Sequence, residues 1–130
     1  MFNEKLVNTA KALTQYYRDH DKAQALDTLY AQDCVSVEAV DMPGGEIGRE
    51  AHGLDAIRAK HEWWYSTSEE HSSTVDGPYL HGEDSFSLIF DMDVTDKKTG
   101  ERNQMREIGH YKVNADGQII HESFFYPPFE

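Results

Sequence analysis

The chain has one cysteine, Cys34, among its 130 residues, little positive charge and no long apolar run. A single thiol cannot close an intrachain disulfide, and no Cys/His cluster has zinc-site spacing, so neither a disulfide framework nor a metal centre is expected. No segment approaches the roughly 20 apolar residues of a membrane-spanning helix. The opening Met1-Phe2-Asn3-Glu4-Lys5-Leu6 runs straight into a polar amphipathic pattern, where a signal peptide would need an apolar stretch of about 7–15 residues. A cytoplasmic location follows as the expectation. With 12 Lys plus Arg against 24 Asp plus Glu the formal charge is −12, and the basic residues stand singly or in short pairs such as Lys97 and Lys98. Such a surface repels phosphate backbones and anionic lipid, so no nucleic-acid or membrane partner is expected.

What is present is one domain's worth of periodic sequence. A chain of this length, 38% hydrophobic, buries roughly two thirds of its unfolded surface in a single core. No repeat, low-complexity tract or linker marks a second domain, so residues 1–130 are expected to form one. Leu6, Ala10, Leu13 and Tyr17 recur at helical spacing and predict a helix over about Asn3–Arg18. After Asp19-His20-Asp21, the stripe Ala23, Leu26, Leu29 and Tyr30 predicts a shorter second helix with Asp21 as its N-cap. Val35–Val40 alternates as a strand, with Ser36 and Glu38 on one face, and Met42-Pro43-Gly44-Gly45 closes it. Leu54, Ile57, His61 and Trp64 predict a third helix over about Leu54–Tyr65.

From Glu69 the period becomes two. Strands are expected over about Glu69–Tyr79, Ser85–Thr95, Arg102–Val113 and Gln118–Tyr126. Gly77-Pro78, His81-Gly82-Glu83-Asp84, Asp96 to Gly100 and Asn114-Ala115-Asp116-Gly117 supply the breaks, and Pro127 and Pro128 end the last strand, so neighbours should pair as an antiparallel meander. Three helices, one early strand and a long meander make an α+β layout.

This order of elements resembles the nuclear transport factor 2-like superfamily and, within it, the SnoaL-like proteins. The resemblance is carried by Leu29-Tyr30-Ala31-Gln32-Asp33-Cys34-Val35-Ser36-Val37-Glu38, by Gly53-Leu54-Asp55-Ala56-Ile57-Arg58-Ala59-Lys60, and by Tyr111 to Tyr126 around Asp116-Gly117. It implies a cone-shaped α+β barrel, with three N-terminal helices packed in the concavity of a strongly curved, mostly antiparallel sheet. It also implies an open end that admits a small, often apolar molecule, and commonly a homodimer formed through the sheet's outer face. The superfamily holds polyketide cyclases, ketosteroid isomerases, dehydratases and members that only bind or assemble, so the fold by itself selects no activity.

Three glutamates are candidate catalytic residues. Glu38 falls where similar ketosteroid isomerases place the Asp that shuttles a proton; in an apolar pocket a carboxylate's pKa rises toward neutrality, as a general base requires. The alternative is a strand-edge glutamate facing water or paired with Arg49 or Arg58. Strand parity puts Met105, Glu107, Gly109, Tyr111 and Val113 on one face, matched across the Asp116-Gly117 turn by Ile120, Glu122, Phe124 and Tyr126. Glu107 and Glu122 then share an apolar surface where two carboxylates cannot both ionise cheaply, an acid/base pair in outline. Alternatively both lie near a wet mouth or satisfy Tyr, Ser or His side chains.

The correspondence with ketosteroid isomerases breaks at two places. Gly109 stands where the resemblance would place an oxyanion-binding acid; Glu107 is one pleat away, about 7 Å along the strand. Tyr16 and Tyr17 fall about one turn later than the oxyanion-holding tyrosine of the first helix. Steroid isomerisation is therefore not the expected reaction. Tyr17, Trp63, Trp64, Tyr111 and Phe124 are candidate ligand-binding residues, with packing in the core as the alternative for the tryptophans. His61 reads as a core histidine, and His71, His81, His110 and His121 as surface or interface groups.

The expected function is binding of a small apolar or partly polar organic molecule, with cofactor-free proton transfer next to a carbonyl as the chemistry such a pocket suits. The alternative is a noncatalytic dimeric ligand-binding or assembly module. Ile108, Ile119 and Phe125 are expected on the opposite sheet face as the dimer contact.

Overall fold

The computed structural model describes residues 3–41 and 48–127. The Met42–Gly45 turn lies outside them. Helix α1 (Glu4–Arg18) is started by Asn3, whose side chain accepts the Lys5 backbone N–H at 2.8 Å, satisfying one of the donors a helix start leaves unpaired. Leu6, Ala10 and Leu13 have no exposed surface. Helix α2 (Lys22–Leu29) begins after Asp21, which holds the N-cap position without a side-chain capping bond, and runs directly into strand β1 (Tyr30–Val37). A three-residue strand β2 (Glu50–His52) precedes α3 (Leu54–Thr67). The remaining strands are β3 (Ser68–His81), β4 (Ser85–Asp96), β5 (Arg102–Val113) and β6 (Ile119–Phe125).

The six strands form one sheet in the order β2-β1-β6-β5-β4-β3. The meander β3 to β6 pairs antiparallel throughout, as the turn residues require, and β1 adds to β6 in parallel. Helix α1 packs on β3 and β4, and α3 on β1, β2 and β3. Between helices and sheet lies a core whose fully buried members include Leu6, Leu13, Ile57, Phe86, Leu88 and Tyr111. No described helix is long and apolar enough to cross a membrane.

Three local expectations need correction. The early strand spans Tyr30–Val37, not Val35–Val40: it starts where α2 ends, with Tyr30 opposite Ile119 in the parallel ladder to β6, and stops before Glu38. Gly77-Pro78 does not break the third strand; it lies inside β3, where the pairing with β4 shifts register between Asp76 and Tyr79. Ile119 is not on the outer face. The β5–β6 ladder shifts register between Lys112 and Val113, so Ile119 turns inward and has no exposure. From His121 onward the expected parity holds, with Tyr111 opposite Glu122 and Gly109 opposite Phe124. On the outer face Ile108 and Phe125 stand opposite each other, 44% and 54% exposed.

The β5–β6 turn is fastened to α1. Gly117 takes φ +83°, and Thr9 Oγ1 donates a 2.6 Å hydrogen bond to its carbonyl. A Cβ at Gly117 would lie 3.1 Å from Lys5 Cβ and 3.2 Å from Thr9 Oγ1. Gly117→Ala is expected to lose about 1–3 kcal/mol through left-handed backbone strain and the displaced helix contact, measured by thermal denaturation. An unchanged Tm would refute the contact.

Candidate functional site

Two lysines enter the interior from the helices. Lys22 and Lys60 are 5% and 6% exposed, and each sits on an apolar stripe, Lys22 with Ala25 and Leu26, Lys60 one turn after Ile57. A buried ammonium must find acceptors. The common one is Glu122 on β6, fully buried. Its Oε1 lies 3.6 Å from Lys22 Nζ and accepts from the Tyr30 hydroxyl. Its Oε2 accepts a 2.7 Å bond from Ser36 Oγ, and Ser36 Oγ accepts in turn from Lys60 Nζ. Lys22 also donates to Tyr30 OH at 2.7 Å and to Tyr17 OH.

Burial by itself pushes a carboxyl up, but the charges of Lys22 and Lys60 outweigh it and hold Glu122 down at about 2. Burial lowers Lys22, and Glu122 offsets part of that. Donor accounting then orients Tyr17. Tyr111 is fully buried, and its hydroxyl meets that of Tyr17 at 3.1 Å and no other acceptor among the described residues. Tyr111 therefore donates to Tyr17, which accepts from Lys22 as well, and the proton of Tyr17 is left for the cavity it lines.

That cavity, of about 670 Å³, has walls of Trp63 and Trp64 from α3, Phe90 and Met92 from β4, Met105 from β5 and Phe124 from β6. Its polar groups include Tyr17, Lys22, Glu38, Lys60, His61 and Glu107. Glu38 follows β1, and its backbone N–H continues the pairing to Arg49 O at 2.8 Å. Its Oε1 lies 3.6 Å from Lys60 Nζ, and its Oε2 is buried with no hydrogen-bond partner among the described residues. Burial raises the Glu38 pKa, and Lys60 opposes the rise.

Glu107 has neither a hydrogen bond nor an ion pair among the described residues. Burial, reinforced by the charge of Glu38, pushes it up to about 8, so it is a carboxylic acid at pH 7. Burial brings His61 down to about 3; the ring is neutral, and its buried Nε2 has no described partner. Burial pushes the Cys34 thiol up to about 12, far from a nucleophile's range. Among the described residues no group of three or more His, Cys, Asp or Glu is placed to hold a metal ion. A carboxylate with a free oxygen and a neutral carboxyl in one mainly apolar cavity can between them accept and donate a proton.

A model of the SnoaL-like domain matches residues 1–126. The chain belongs to the SnoaL-like family. A Mesorhizobium loti structure, provisionally described as a SnoaL-like polyketide cyclase [carbohydrate phosphatase], is 40% identical with a TM-score of 0.83, covering 92% of this chain and 97% of that one. A nuclear transport factor 2-like protein of unknown function from Burkholderia pseudomallei shares 12% identity at TM-score 0.76, over 96% of this chain and 92% of that one. A Mycobacterium tuberculosis protein in complex with estradiol-17β-hemisuccinate shares 18% identity at TM-score 0.68, over 96% of this chain and 95% of that one. The last two show likeness of fold alone. No curated protein matches the chain closely enough to add an assignment.

In this SnoaL-like protein the candidate residues separate into two layers. Glu38, Glu107, Tyr17, Trp63, Trp64 and Phe124 line the cavity, whereas Glu122 and Tyr111 lie behind its wall. Glu107 and Glu122 share a sheet face without forming a pair: Glu107 stands opposite Phe90, and Glu122 opposite Tyr111. Glu38 takes Lys60 as its partner; Arg58 pairs instead with Asp27 at 2.6 Å, and Arg49 Nε reaches only the Glu38 carbonyl. A side chain at Gly109 would displace its neighbours, because a Cβ would come within 2.9 Å of both Phe90 Cε2 and the Tyr111 hydroxyl. Sequence reasoning missed Lys22, Lys60 and Tyr30 as site residues and left Ser36 without a role. The available signal was the placement of two lysines on apolar helix stripes.

Glu122→Gln would leave two buried ammonium groups without their shared anion and should cost about 3–5 kcal/mol in urea unfolding at pH 7. The sign with pH follows from the depressed carboxyl. Its stabilisation is present above the ordinary glutamate range and is lost as pH falls from about 4.5 toward about 2. The native chain should lose stability across that window more steeply than Glu122→Gln; equal slopes would refute the pairing.

Proposed function

We propose that the chain binds a small, mainly apolar organic molecule in this cavity and, without a cofactor, moves a proton next to its carbonyl group. The observation that carries this is Glu107, an unpaired carboxyl in the cavity wall, raised to about 8, beside a second carboxyl with a free buried oxygen. Glu38 as carboxylate takes the proton from the carbon next to the carbonyl. The electron pair moves onto the carbonyl oxygen, which accepts a hydrogen bond from the neutral Glu107. Isomerisation, aldol cyclisation and dehydration all share this step. The polyketide cyclase description of the Mesorhizobium relative supports the aldol variant. The closed Gly109 position speaks against steroid isomerisation.

The test is hydrogen–deuterium exchange, followed by NMR in D₂O, on ring-bearing β-diketones and β-keto esters. Glu38→Gln should slow exchange roughly 10²–10⁴-fold, and Glu107→Gln should slow it less, with Glu101→Gln in the charged turn as control. The rate should rise as Glu38 loses its proton and fall again through pH of about 8 as Glu107 does. Glu107 also has a stability signature. Its neutral folded form keeps stability intact below the ordinary glutamate range and loses it as pH rises through about 8, so Glu107→Gln should be the more stable protein at pH 9. No exchange with any compound, together with ligand binding unchanged in every variant, would leave the noncatalytic binding module.

The same reading includes a homodimer. Ile108 and Phe125 form an exposed cross-strand apolar pair on the face away from the helices, which favours self-association there. Light scattering at micromolar concentration should give a dimer, and Phe125→Asp should shift it toward monomer; a native monomer would refute the contact. The buried, unpaired thiol of Cys34 fits a reducing cytoplasm.

A further inference from the structure

The spacing around Lys60 is uneven. Its ammonium donates a hydrogen bond to Ser36 Oγ, yet stops 3.6 Å from Glu38 Oε1, where a charge-assisted contact would close to about 2.7–2.9 Å. Ser36 is itself immobilised: it is fully buried, and its proton is committed to Glu122 Oε2 at 2.7 Å, so its oxygen lone pairs face Lys60. Glu122 does not touch the cavity, and Ser36 does not line it. Glu38 is left with one oxygen loosely paired and the other buried and unpartnered.

We propose that Ser36, held by Glu122, is a positioning residue: it tethers the Lys60 ammonium short of contact with Glu38 and so leaves Glu38 a carboxylate oxygen free for a ligand's proton. This rests on Glu38 as the base of the proposed reaction. Without the tether, an ammonium on a flexible stem beside a buried carboxylate closes into a contact ion pair. That pair stabilises the charged form of Glu38 and makes it a weaker base. The other groups around Glu38 are Glu107 on β5 and Tyr126 after β6, with Glu122 behind the wall; His61 and Lys22 line the same cavity, Lys22 donating to Tyr17 and Tyr30, and Arg49 Nε is held on the Glu38 carbonyl. Lys22 and Arg49 are thus engaged elsewhere, and Lys60 is the ammonium placed to close on the carboxylate.

The experiment follows the Glu38 side-chain carboxyl by ¹³C NMR through a pH titration of the full chain, with no ligand needed. Ser36→Ala keeps every charge and removes the tether; it should lower the Glu38 midpoint by about one pH unit, a tenfold change in proton affinity. Lys60→Met should raise the midpoint. In the Lys60→Met background, Ser36→Ala should have no further effect, because the serine acts through the lysine. A midpoint unmoved or raised by Ser36→Ala would overturn the proposal, and so would a Ser36→Ala shift that persists without Lys60. Should Ser36→Ala not fold, Lys60→Met decides alone: a Glu38 titration indifferent to it removes the lysine's role. Failure of the functional reading looks different. Glu38→Gln would then leave proton exchange unchanged while the Ser36 and Lys60 effects on the titration remained.

Discussion

Two ammonium groups buried against one carboxylate set the terms for the rest of the molecule. Lys22 and Lys60 come from different helices, Glu122 from the sheet, and Tyr30 and Ser36 from β1 close the remaining hydrogen bonds. Each helix could slide on an apolar face at modest cost, but not with an ammonium that must reach one particular oxygen. The network reaches the cavity at Tyr17 on one side and at Glu38 on the other, so the constraint that docks the helices also aims the polar groups of the pocket.

The three glutamates show how neighbours divide one chemistry into separate roles. Glu122 is the most buried and the most acidic, because two lysines supply what water no longer does. Glu107 is a neutral acid because burial, reinforced by Glu38, outweighs the pull of Lys60 and Lys22, and Glu38 lies between them, raised by burial and held back by one lysine at a distance. Residue type carries little information here; the count and distance of ammonium groups carries most. For the same reason the shared fold leaves activity open, and the differences that matter are single side chains on the cavity wall.

Much of the architecture was legible in the chain. The 3.6-residue stripe of α1, the period-two run after Glu69 and the Asp116-Gly117 turn lead to the observed elements, because each is a local pattern with a local cause. Strand parity placed Glu107, Glu122 and Phe124 on one face. Where local pattern failed, a nonlocal ladder had intervened. Ile119 turned inward through the register shift beside Val113, and β2 exists because β1 offers it an edge.

The sequence by itself determined the three helices and the four-strand meander, the sheet face shared by Glu107 and Glu122 and the scarcity of cations to meet them. Only the tertiary structure decided which carboxylate those cations would meet. Lys22 and Glu122 are 100 residues apart, a separation no local period relates, and bringing them within 3.6 Å is the work of the parallel β1–β6 ladder and the helices packed on it. A proton affinity depends on charges a few ångströms away in space, whereas a sequence period reports only neighbours along the chain.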